Sequence, residues 1–230
     1  MTLFTKLSNN LMRRAALIGC ALSGLLLVSN VAFAADCAKA LQVVFGNEGG
    51  YQNSRQDGGN WSSKKVGVGT LCGGTKFGIA CGYNPGVDVK NLTKEGAAKI
   101  YQNRECKEMR LSDLAGQEIP TLLLDLSVNM GTEMAIKLMG TTINLLNDPS
   151  NQVKFDTVMT DEMVNWFNAN TKTKDEVILF YAVLTLTAVD RYAYIVESNK
   201  KQAVWLLGWI RRVIPSEIEA IRPQKNPEKK

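Results

Sequence analysis

A glycine-rich stretch near the front of the chain separates two kinds of sequence. Residues 50–90 contain ten glycines among many serines and asparagines, and their apolar residues do not recur at helical spacing. Before and after this stretch, apolar residues do recur with the period of an α-helix. The sequence therefore predicts an α+β fold that is predominantly α-helical and carries a small glycine-rich lobe.

Capping and breaking residues delimit the helical segments. An apolar stripe from Ala38 to Phe45 ends at Gly49-Gly50, Thr93 is a suitable N-cap, and Pro120 and Gly131 are placed to begin and end a helix. Further helices are predicted at 132–146, 160–169, 175–198 and 200–213. Within the lobe, short strands are predicted around Val66–Val68 and Phe77–Ile79.

The N-terminal segment has the three-part pattern of a secretory signal peptide. Lys6, Arg13 and Arg14 precede an uncharged, mostly apolar run over 15–34, which closes on Ala32-Phe33-Ala34. We expect residues 1–34 to be removed by cleavage after Ala34. The mature protein is then expected in the periplasm or outside the cell.

Two other interpretations of this segment are open. Leu17-Ile18-Gly19-Cys20 resembles a lipoprotein box, although it follows the arginines closely and the apolar run continues behind it. The run is also nearly long enough to span a bilayer, as an uncleaved anchor or a signal-arrest sequence would. Cleavage after Ala34 remains the preferred prediction.

Removal of residues 1–34 changes the charge and the cysteine count. The chain has 27 basic and 22 acidic residues, for a net charge of +5, and the segment carries three bases and no acid, which leaves +2. So small a charge argues against a nucleic-acid partner. Four cysteines remain, which predicts two disulfides with three possible pairings. A zinc site of four thiolates is the alternative, but no Cys-x-x-Cys pair supports it. The four are Cys37, Cys72, Cys81 and Cys106.

The chain contains no histidine. This excludes Ser-His-Asp triads, Cys-His pairs and the usual histidine-based zinc sites. We therefore expect neither a metal nor a cofactor, and any enzyme chemistry must use carboxylates or other side chains.

Two acidic residues in unlike settings are candidates for such chemistry. A glycosidase uses one protonated and one ionised carboxyl group around a glycosidic bond. Glu48 lies at the end of the first predicted helix, where the helix dipole and partial burial favour the protonated form. Asp57 lies in a glycine-rich turn and is expected to stay ionised, while Thr75 could position the attacking water.

Aromatic residues in and beside the lobe are candidates for contacts with sugar rings. These predicted substrate-binding residues could equally fill the small core of the lobe, and they are Tyr51, Trp61, Phe77 and Tyr83.

Several motifs together resemble the glycoside hydrolase family 108 muramidases, which are peptidoglycan hydrolases of bacteria and phages. They are Glu48-Gly49-Gly50-Tyr51, Asp57-Gly58-Gly59, Gly73-Gly74-Thr75-Lys76-Phe77-Gly78-Ile79, the segment 89–101, Val128-Asn129-Met130-Gly131 and Gly208-Trp209-Ile210-Arg211-Arg212. The resemblance extends from about Ala38 to Arg212.

The resemblance implies a lysozyme-like fold and cleavage of the β-1,4 bond between N-acetylmuramic acid and N-acetylglucosamine. It implies Glu48 as the catalytic glutamate, supports Asp57 and Thr75, and adds Asn129 as a substrate-binding residue. It also implies a catalytic domain over 35–115 and a helical peptidoglycan-binding domain over 116–215. The polar, proline-containing composition of the end of the chain predicts a polar tail over 216–230.

One departure from the family concerns residues 60–72, which separate two motifs that the family joins in one block. The insertion makes the alignment of Asp57 less direct, and Thr70 competes with Thr75. Cys72, Cys81 and Cys106 are interpreted as additions that stabilise this longer lobe through disulfides, and a Cys37–Cys106 or a Cys72–Cys81 bridge would be plausible.

The leading hypothesis is an exported muramidase, expected to be monomeric, that binds peptidoglycan glycan strands and serves wall remodelling or lysis. A secretion or flagellar apparatus is a candidate partner. The alternatives are a lytic transglycosylase that uses Glu48 alone and a non-catalytic peptidoglycan-binding module that supports a secretion apparatus.

Overall fold

The computed structural model describes residues 34–214, and this part of the chain is mostly helical, which confirms the predicted fold class. The predicted signal peptide, apart from Ala34, and the predicted polar tail lie outside the described residues. The helices are α1 Cys37–Asn47, α2 Lys94–Asn103, α3 Glu105–Glu108, α4 Glu118–Met130, α5 Thr132–Leu146, α6 Asp161–Asn170, α7 Lys174–Ser198 and α8 Ala203–Val213, and the strands are β1 Thr75–Lys76 and β2 Ile79–Ala80.

Helix α1 begins at a side-chain cap and ends at the glycine-rich lobe. The Asp36 carboxylate accepts hydrogen bonds from the backbone N–H groups of Ala38 at 2.8 Å and Lys39 at 3.4 Å. The apolar stripe of α1 faces the core, with Leu41 and Phe45 buried. The helix ends at Asn47 because Glu48 takes an extended backbone conformation, with φ −88° and ψ 139°.

The lobe is folded mainly by turns around one short hairpin. Thr75 pairs with Ala80 in the antiparallel register of β1 and β2. The predicted strand at Val66–Val68 is wrong, because Gly67 turns the chain there with φ +76°.

The second strand prediction, at Phe77–Ile79, is correct only at its end. Phe77 and Gly78 have φ of 52° and 75° and form the two-residue turn of the hairpin, while Ile79 begins β2. The segment is too short for the spacing of its apolar residues to distinguish a strand from the turn beside it.

Helix α4 occupies the centre of the described part of the chain. It packs against α1 on one side and against α5 and α7 on others. Pro120 is its third residue, so the helix begins two residues earlier than Pro120 alone predicts. Gly131, with φ +89°, lies between α4 and α5 and ends α4 as predicted.

Helix α7 is long and apolar on most sides. Thr173 and Glu176 form a capping box at its start. Its inner stripe of Phe180, Leu184, Ala188 and Tyr192 is buried. By length and a mean hydropathy of 1.3 it could also span a membrane, a test that core helices of water-soluble proteins pass as well.

The described residues belong to one compact unit. Helix α4, which would lie in the second of the two domains suggested by the sequence, packs directly on α1 of the first. The division between 35–115 and 116–215 stays a prediction.

Two disulfides connect the four remaining cysteines, as the sequence predicts. Cys37–Cys106 ties the start of α1 to α3, across a sequence separation of 69 residues. Cys72–Cys81 ties the end of the 60–72 insertion to the residue after β2, across 9 residues. Of the three possible pairings, the structure therefore has Cys37–Cys106 together with Cys72–Cys81.

Loss of the longer-range bridge is expected to cost more stability. The pair Cys37→Ala and Cys106→Ala should lower the free energy of unfolding by about 4 kcal/mol, against about 3 kcal/mol for Cys72→Ala with Cys81→Ala, because the first closes the longer loop. Urea unfolding of the two double variants measures the difference. A lower midpoint for the Cys72–Cys81 double variant would contradict this order.

Candidate active site

Glu48 lies where α1, α8 and the β1–β2 hairpin meet. Its side chain is 12% exposed, and its Oε1 forms a hydrogen-bonded ion pair with the guanidinium of Arg212. Its other oxygen, Oε2, lies beside the hairpin turn, 3.2 Å from the position that a Cβ on Gly78 would take. One oxygen is therefore held by a cation and the other faces the glycine of the turn.

Arg212 is the ion-pair partner of Glu48, and nothing in the sequence indicated this pairing. It lies near the end of α8, is 19% exposed, and also donates to the Asn47 carbonyl oxygen at 3.3 Å. Burial by itself lowers the pKa of this guanidinium, but Glu48, Asp125 and Tyr192 together outweigh it, and the net shift of the Arg212 pKa is upward. The sequence indicated a helix end and partial burial around Glu48, and the ion pair with Arg212 adds a cation that the sequence did not indicate.

Asp125 is a second acid near Glu48, and sequence reasoning missed it. It lies in α4 with 4% exposure, and its Oδ1 accepts from Asn47 Nδ2 at 3.3 Å. Its Oδ2 has no hydrogen-bond partner within the described part of the chain. Burial raises the pKa of Asp125, against an opposing effect of Arg212. In the sequence, Asp125 could have been singled out as the one acid within the mostly apolar run 122–128 of a predicted helix.

Two buried tyrosines flank this group of charges. Burial, followed by the charge of Glu48, raises the pKa of Tyr101, whose hydroxyl donates to the Phe77 carbonyl oxygen at 3.0 Å. Burial raises the pKa of Tyr192 to about 12, and this hydroxyl accepts from Asn129 Nδ2 at 2.6 Å. Both phenols therefore stay neutral near pH 7.

Asp57 and Thr75 belong to one hydrogen-bond network in the lobe. The Asp57 carboxylate accepts from the backbone N–H of Gly59 at 2.8 Å and from Gln52 Nε2 at 2.6 Å. Gln52 Oε1 accepts from Asn60 Nδ2 at 2.9 Å, and the Thr75 hydroxyl donates to Asn60 Oδ1 at 2.7 Å. The side-chain amides of Gln52 and Asn60 therefore connect Asp57 to Thr75. Among residues 34–214, no side-chain hydrogen bond links this network to Glu48.

The insertion supplies a central member of this network. Its first residue, Asn60, is fully buried, and its carbonyl oxygen accepts from Cys72 N at 2.9 Å, so the two ends of the insertion are paired. Thr70 pairs instead with Ser62, both through the backbone at 2.9 Å and with the Ser62 hydroxyl. Thr75, and not Thr70, is therefore the threonine connected to Asp57.

The predicted sugar-binding aromatics divide into two pairs. Tyr51 and Tyr83 are 40% and 58% exposed. Trp61 is partly buried, and its indole N–H donates to the Arg55 carbonyl oxygen at 3.0 Å. Phe77 packs against the core, with its ring 5.8 Å from that of Phe45. The exposed pair is better placed to meet a ligand, and all four roles stay predictions.

Asn129 has a partner inside the fold. Its amide group is engaged by Tyr192, which stacks on Trp209 with ring centroids 5.2 Å apart. This hydrogen bond gives Asn129 a structural role, and its role in substrate binding stays a prediction.

The residues around Glu48 form neither a metal site nor part of the cavity described for residues 34–214. Within residues 34–214, no group of three or more carboxylate or thiolate residues is arranged to hold a metal ion. A cavity of about 350 Å³ lies elsewhere, beside the Cys37–Cys106 bridge, with Arg110 and Asp113 in its lining. None of the predicted catalytic or substrate-binding residues lines it.

Residues 41–131 match the family model described as Glycosyl hydrolase 108. The matched segment includes Glu48, Asp57, Thr75 and Asp125, and it stops before Arg212. A solved structure, that of Brucella abortus SagA, is similar with a TM-score of 0.56 and 20% sequence identity, over 83% of this chain and 97% of that chain. This second likeness concerns the fold. No curated protein matches the sequence.

Proposed function

From the family match over 41–131, we propose that this protein is a glycoside hydrolase that cleaves peptidoglycan glycan strands, with Glu48 as its general acid. The observation that carries the proposal is the placement of Glu48 within the matched segment. Its carboxyl group is largely buried, held at one oxygen, and faces the glycine turn of a hairpin at the other. The bond proposed is the β-1,4 bond from N-acetylmuramic acid to N-acetylglucosamine.

The geometry supports a division of roles among the three predicted catalytic residues. Glu48 donates its proton to the glycosidic oxygen as the bond from that oxygen to C1 breaks. Asp57, whose carboxylate accepts from Gln52 and from Gly59, receives a proton from the water that attacks C1. The Thr75 hydroxyl donates to Asn60, so its lone pairs remain available to accept from that water.

The charge of the lobe supports an anionic polymer as substrate. Between Glu48 and Asp88 the chain has four basic residues and one acid, Asp57. Lys64 and Lys65 belong to the exposed insertion, and the Lys64 ammonium lies 4.8 Å from the centroid of the exposed Tyr83 ring. The stem peptides of peptidoglycan carry carboxylates, which such a surface attracts.

The setting proposed for this activity is outside the cytoplasm. Two disulfides indicate an oxidising compartment, as expected for an exported protein. The signal peptide, the monomeric state and a link to a secretion or flagellar apparatus remain proposals. Nucleic acid is not proposed as a partner.

Digestion of purified peptidoglycan tests the proposed reaction. The expected products are soluble muropeptides with reducing N-acetylmuramic acid ends, identified by borohydride reduction and mass spectrometry. Reducing N-acetylglucosamine ends would overturn the proposed bond. Binding to insoluble wall without release of fragments would overturn the proposed catalysis and favour a binding module.

A lytic transglycosylase is the second candidate. In this reaction Glu48 acts alone, and Asp57, whose two oxygens accept hydrogen bonds within the lobe, has a structural role. Its products would end in 1,6-anhydro-N-acetylmuramic acid. These ends do not take up hydride on borohydride reduction, so the same experiment separates the two reactions.

A further inference from the structure

We propose that the insertion 60–72 forms a subsite for the acidic stem peptide of peptidoglycan, in which Lys64 and Tyr83 bind a stem carboxylate beside Asp57. The inference deepens the proposed function and rests on it, because it names a second part of the substrate that the same site takes. The insertion contains none of the three predicted catalytic residues, so its contribution is to substrate recognition.

The insertion is tied together at its base. The Asn60 carbonyl oxygen accepts from Cys72 N at 2.9 Å, and the disulfide of Cys72 with Cys81 joins this end of the insertion to the hairpin of the lobe. Trp61 and Leu71 pair next to it in an antiparallel bridge. The side chains between these pairs are therefore presented from a fixed position on the lobe.

The backbone of Lys64 packs against the turn that carries Asp57. A Cβ on Gly58 would lie 2.9 Å from the Lys64 carbonyl oxygen, and Lys64 N donates to the Trp61 carbonyl oxygen at 2.9 Å. Lys64 has a φ of 63°, in the left-handed region where a residue with a Cβ is strained and glycine is not. A strained backbone that carries a charged side chain next to a catalytic turn indicates a function for that side chain.

Tyr83 connects the Lys64 side chain to the surroundings of Asp57. The Lys64 ammonium lies 4.8 Å from the centroid of the Tyr83 ring, within range of a cation–π attraction. A Cβ on Gly59 would lie 3.2 Å from Asp57 Oδ1 and 3.8 Å from Tyr83 Cε2, so the ring and the carboxylate lie close together. The ring is also exposed, which leaves it accessible to a ligand.

The cations of the insertion have no acidic partner in the protein. Within residues 34–214, neither Lys64 nor Lys65 belongs to an ion pair, and both are exposed. Asp57 is the one acid in the sequence 49–87, and both of its oxygens already accept hydrogen bonds from the lobe. Two ammonium groups are therefore available to a negatively charged ligand.

The chemistry of the substrate places such a ligand beside Asp57. In the proposed reaction water attacks C1 of N-acetylmuramic acid, and the same sugar carries the stem peptide on its C3 oxygen through a lactyl group. Because Asp57 activates that water, the groups next to Asp57 face this sugar and the beginning of its peptide. The peptide carries free carboxylates, whereas the sugar rings carry no charge. Lys64 therefore recognises the peptide and not the glycan.

The test compares two soluble substrates, uncross-linked glycan strands with their stem peptides and the same strands after an N-acetylmuramoyl-L-alanine amidase has removed the peptides. The wild type should have the lower KM on peptide-bearing strands. Lys64→Asn removes the charge but keeps a residue that tolerates the left-handed backbone. It should raise KM on peptide-bearing strands by about 2–5-fold, the effect of one exposed ion pair, with kcat unchanged. On strands without peptide its KM should equal that of the wild type.

A charge series and a distant lysine serve as controls. Lys64→Glu should raise KM on peptide-bearing strands more than Lys64→Asn does, whereas Lys64→Arg should retain the wild-type value. Lys174→Gln removes an exposed lysine from the first turn of α7 and should leave KM unchanged on both substrates. At an ionic strength of about 1 M, where the Debye length is about 3 Å, the difference between Lys64→Asn and the wild type should disappear. Circular dichroism melting establishes that each variant is folded.

Two results would overturn the inference. One is a wild-type KM that is the same on both kinds of strand, and the other is a KM that Lys64→Asn raises equally on both. Binding to vesicles of anionic lipid that Lys64→Glu abolishes, together with equal KM on both kinds of strand, would assign the insertion to a membrane surface instead.

Failure of the proposed function is a separate result, because the wild type would then cleave neither kind of strand. Equilibrium binding of the intact strands decides the inference in that case. Tighter binding of peptide-bearing strands by the wild type than by Lys64→Asn supports the subsite, and equal binding by the two proteins excludes it.

Discussion

Replacement of Glu48 by glutamine is expected to lower the rate of peptidoglycan digestion by about 10²–10⁴-fold, the usual contribution of a general acid. Glutamine has the same shape but carries no transferable proton, so the leaving oxygen must depart unprotonated. The neutral amide also removes the ion pair with Arg212, the closest charged contact of the site. Release of soluble muropeptides from purified wall measures the loss.

A matched substitution separates the loss of the general acid from any effect of replacing a glutamate with glutamine elsewhere. Glu95 is an exposed glutamate in the first turn of α2, and Glu95→Gln should digest wall at the wild-type rate. Thermal melting of both variants shows whether each is folded, so that a loss of activity in Glu48→Gln can be assigned to the missing proton donor. Full activity in a folded Glu48→Gln variant would remove Glu48 from the mechanism and the proposed reaction with it.

Gly78→Ala is expected to abolish most of the activity and to lower the free energy of unfolding by about 2–5 kcal/mol. A Cβ at this position would lie 2.4 Å from the Tyr101 hydroxyl oxygen and 2.8 Å from Val128 Cγ1. The φ of +75° adds the strain of a left-handed backbone, about 1–2 kcal/mol, to about 1–3 kcal/mol for overpacking. The same Cβ would lie 3.2 Å from Glu48 Oε2, so the Glu48 carboxyl group would have to move.

Gly86 provides the matched control for this glycine. It has a similar φ of +88°, but a Cβ there would meet nothing within 4 Å. Gly86→Ala therefore reports backbone strain alone and should retain activity. Urea unfolding and wall digestion are measured on both variants. Equal losses of stability and activity in the two would show that crowding at Gly78 does not matter.

The helices were predictable because each has a periodic apolar stripe and recognisable ends. Thr93 caps α2 by accepting from Gly96 N at 3.0 Å, as its residue type indicates. The start of α4 was misplaced because proline is tolerated throughout the first helical turn and does not mark its first residue. In the lobe, the stretch 66–68 contains residues that favour strands, but the glycines around it turn the chain and leave Val66 and Val68 exposed.

The candidate site was only partly predictable. Glu48, Asp57 and Thr75 could be selected because carboxylates and a hydroxyl near glycines form a chemical pattern along a short segment. Asp125 and Arg212 are distant in sequence, and Arg212 lies 164 residues beyond Glu48. The ion pair of Arg212 with Glu48, and the hydrogen bond of Asp125 with the neighbouring Asn47, depend on how α8 and α4 pack, which no local pattern encodes.

The sequence by itself determined the helical class, the glycine-rich lobe, the number of disulfides and the residues able to perform carboxylate chemistry. These properties depend on residue type and on spacing within one element. Only the tertiary structure decided which cysteines pair, that Gln52 and Asn60 join Asp57 to Thr75, and that Glu48 forms an ion pair with the partly buried Arg212. The physical reason is that burial and the distance between charges set these interactions, and both arise only when separate elements pack together.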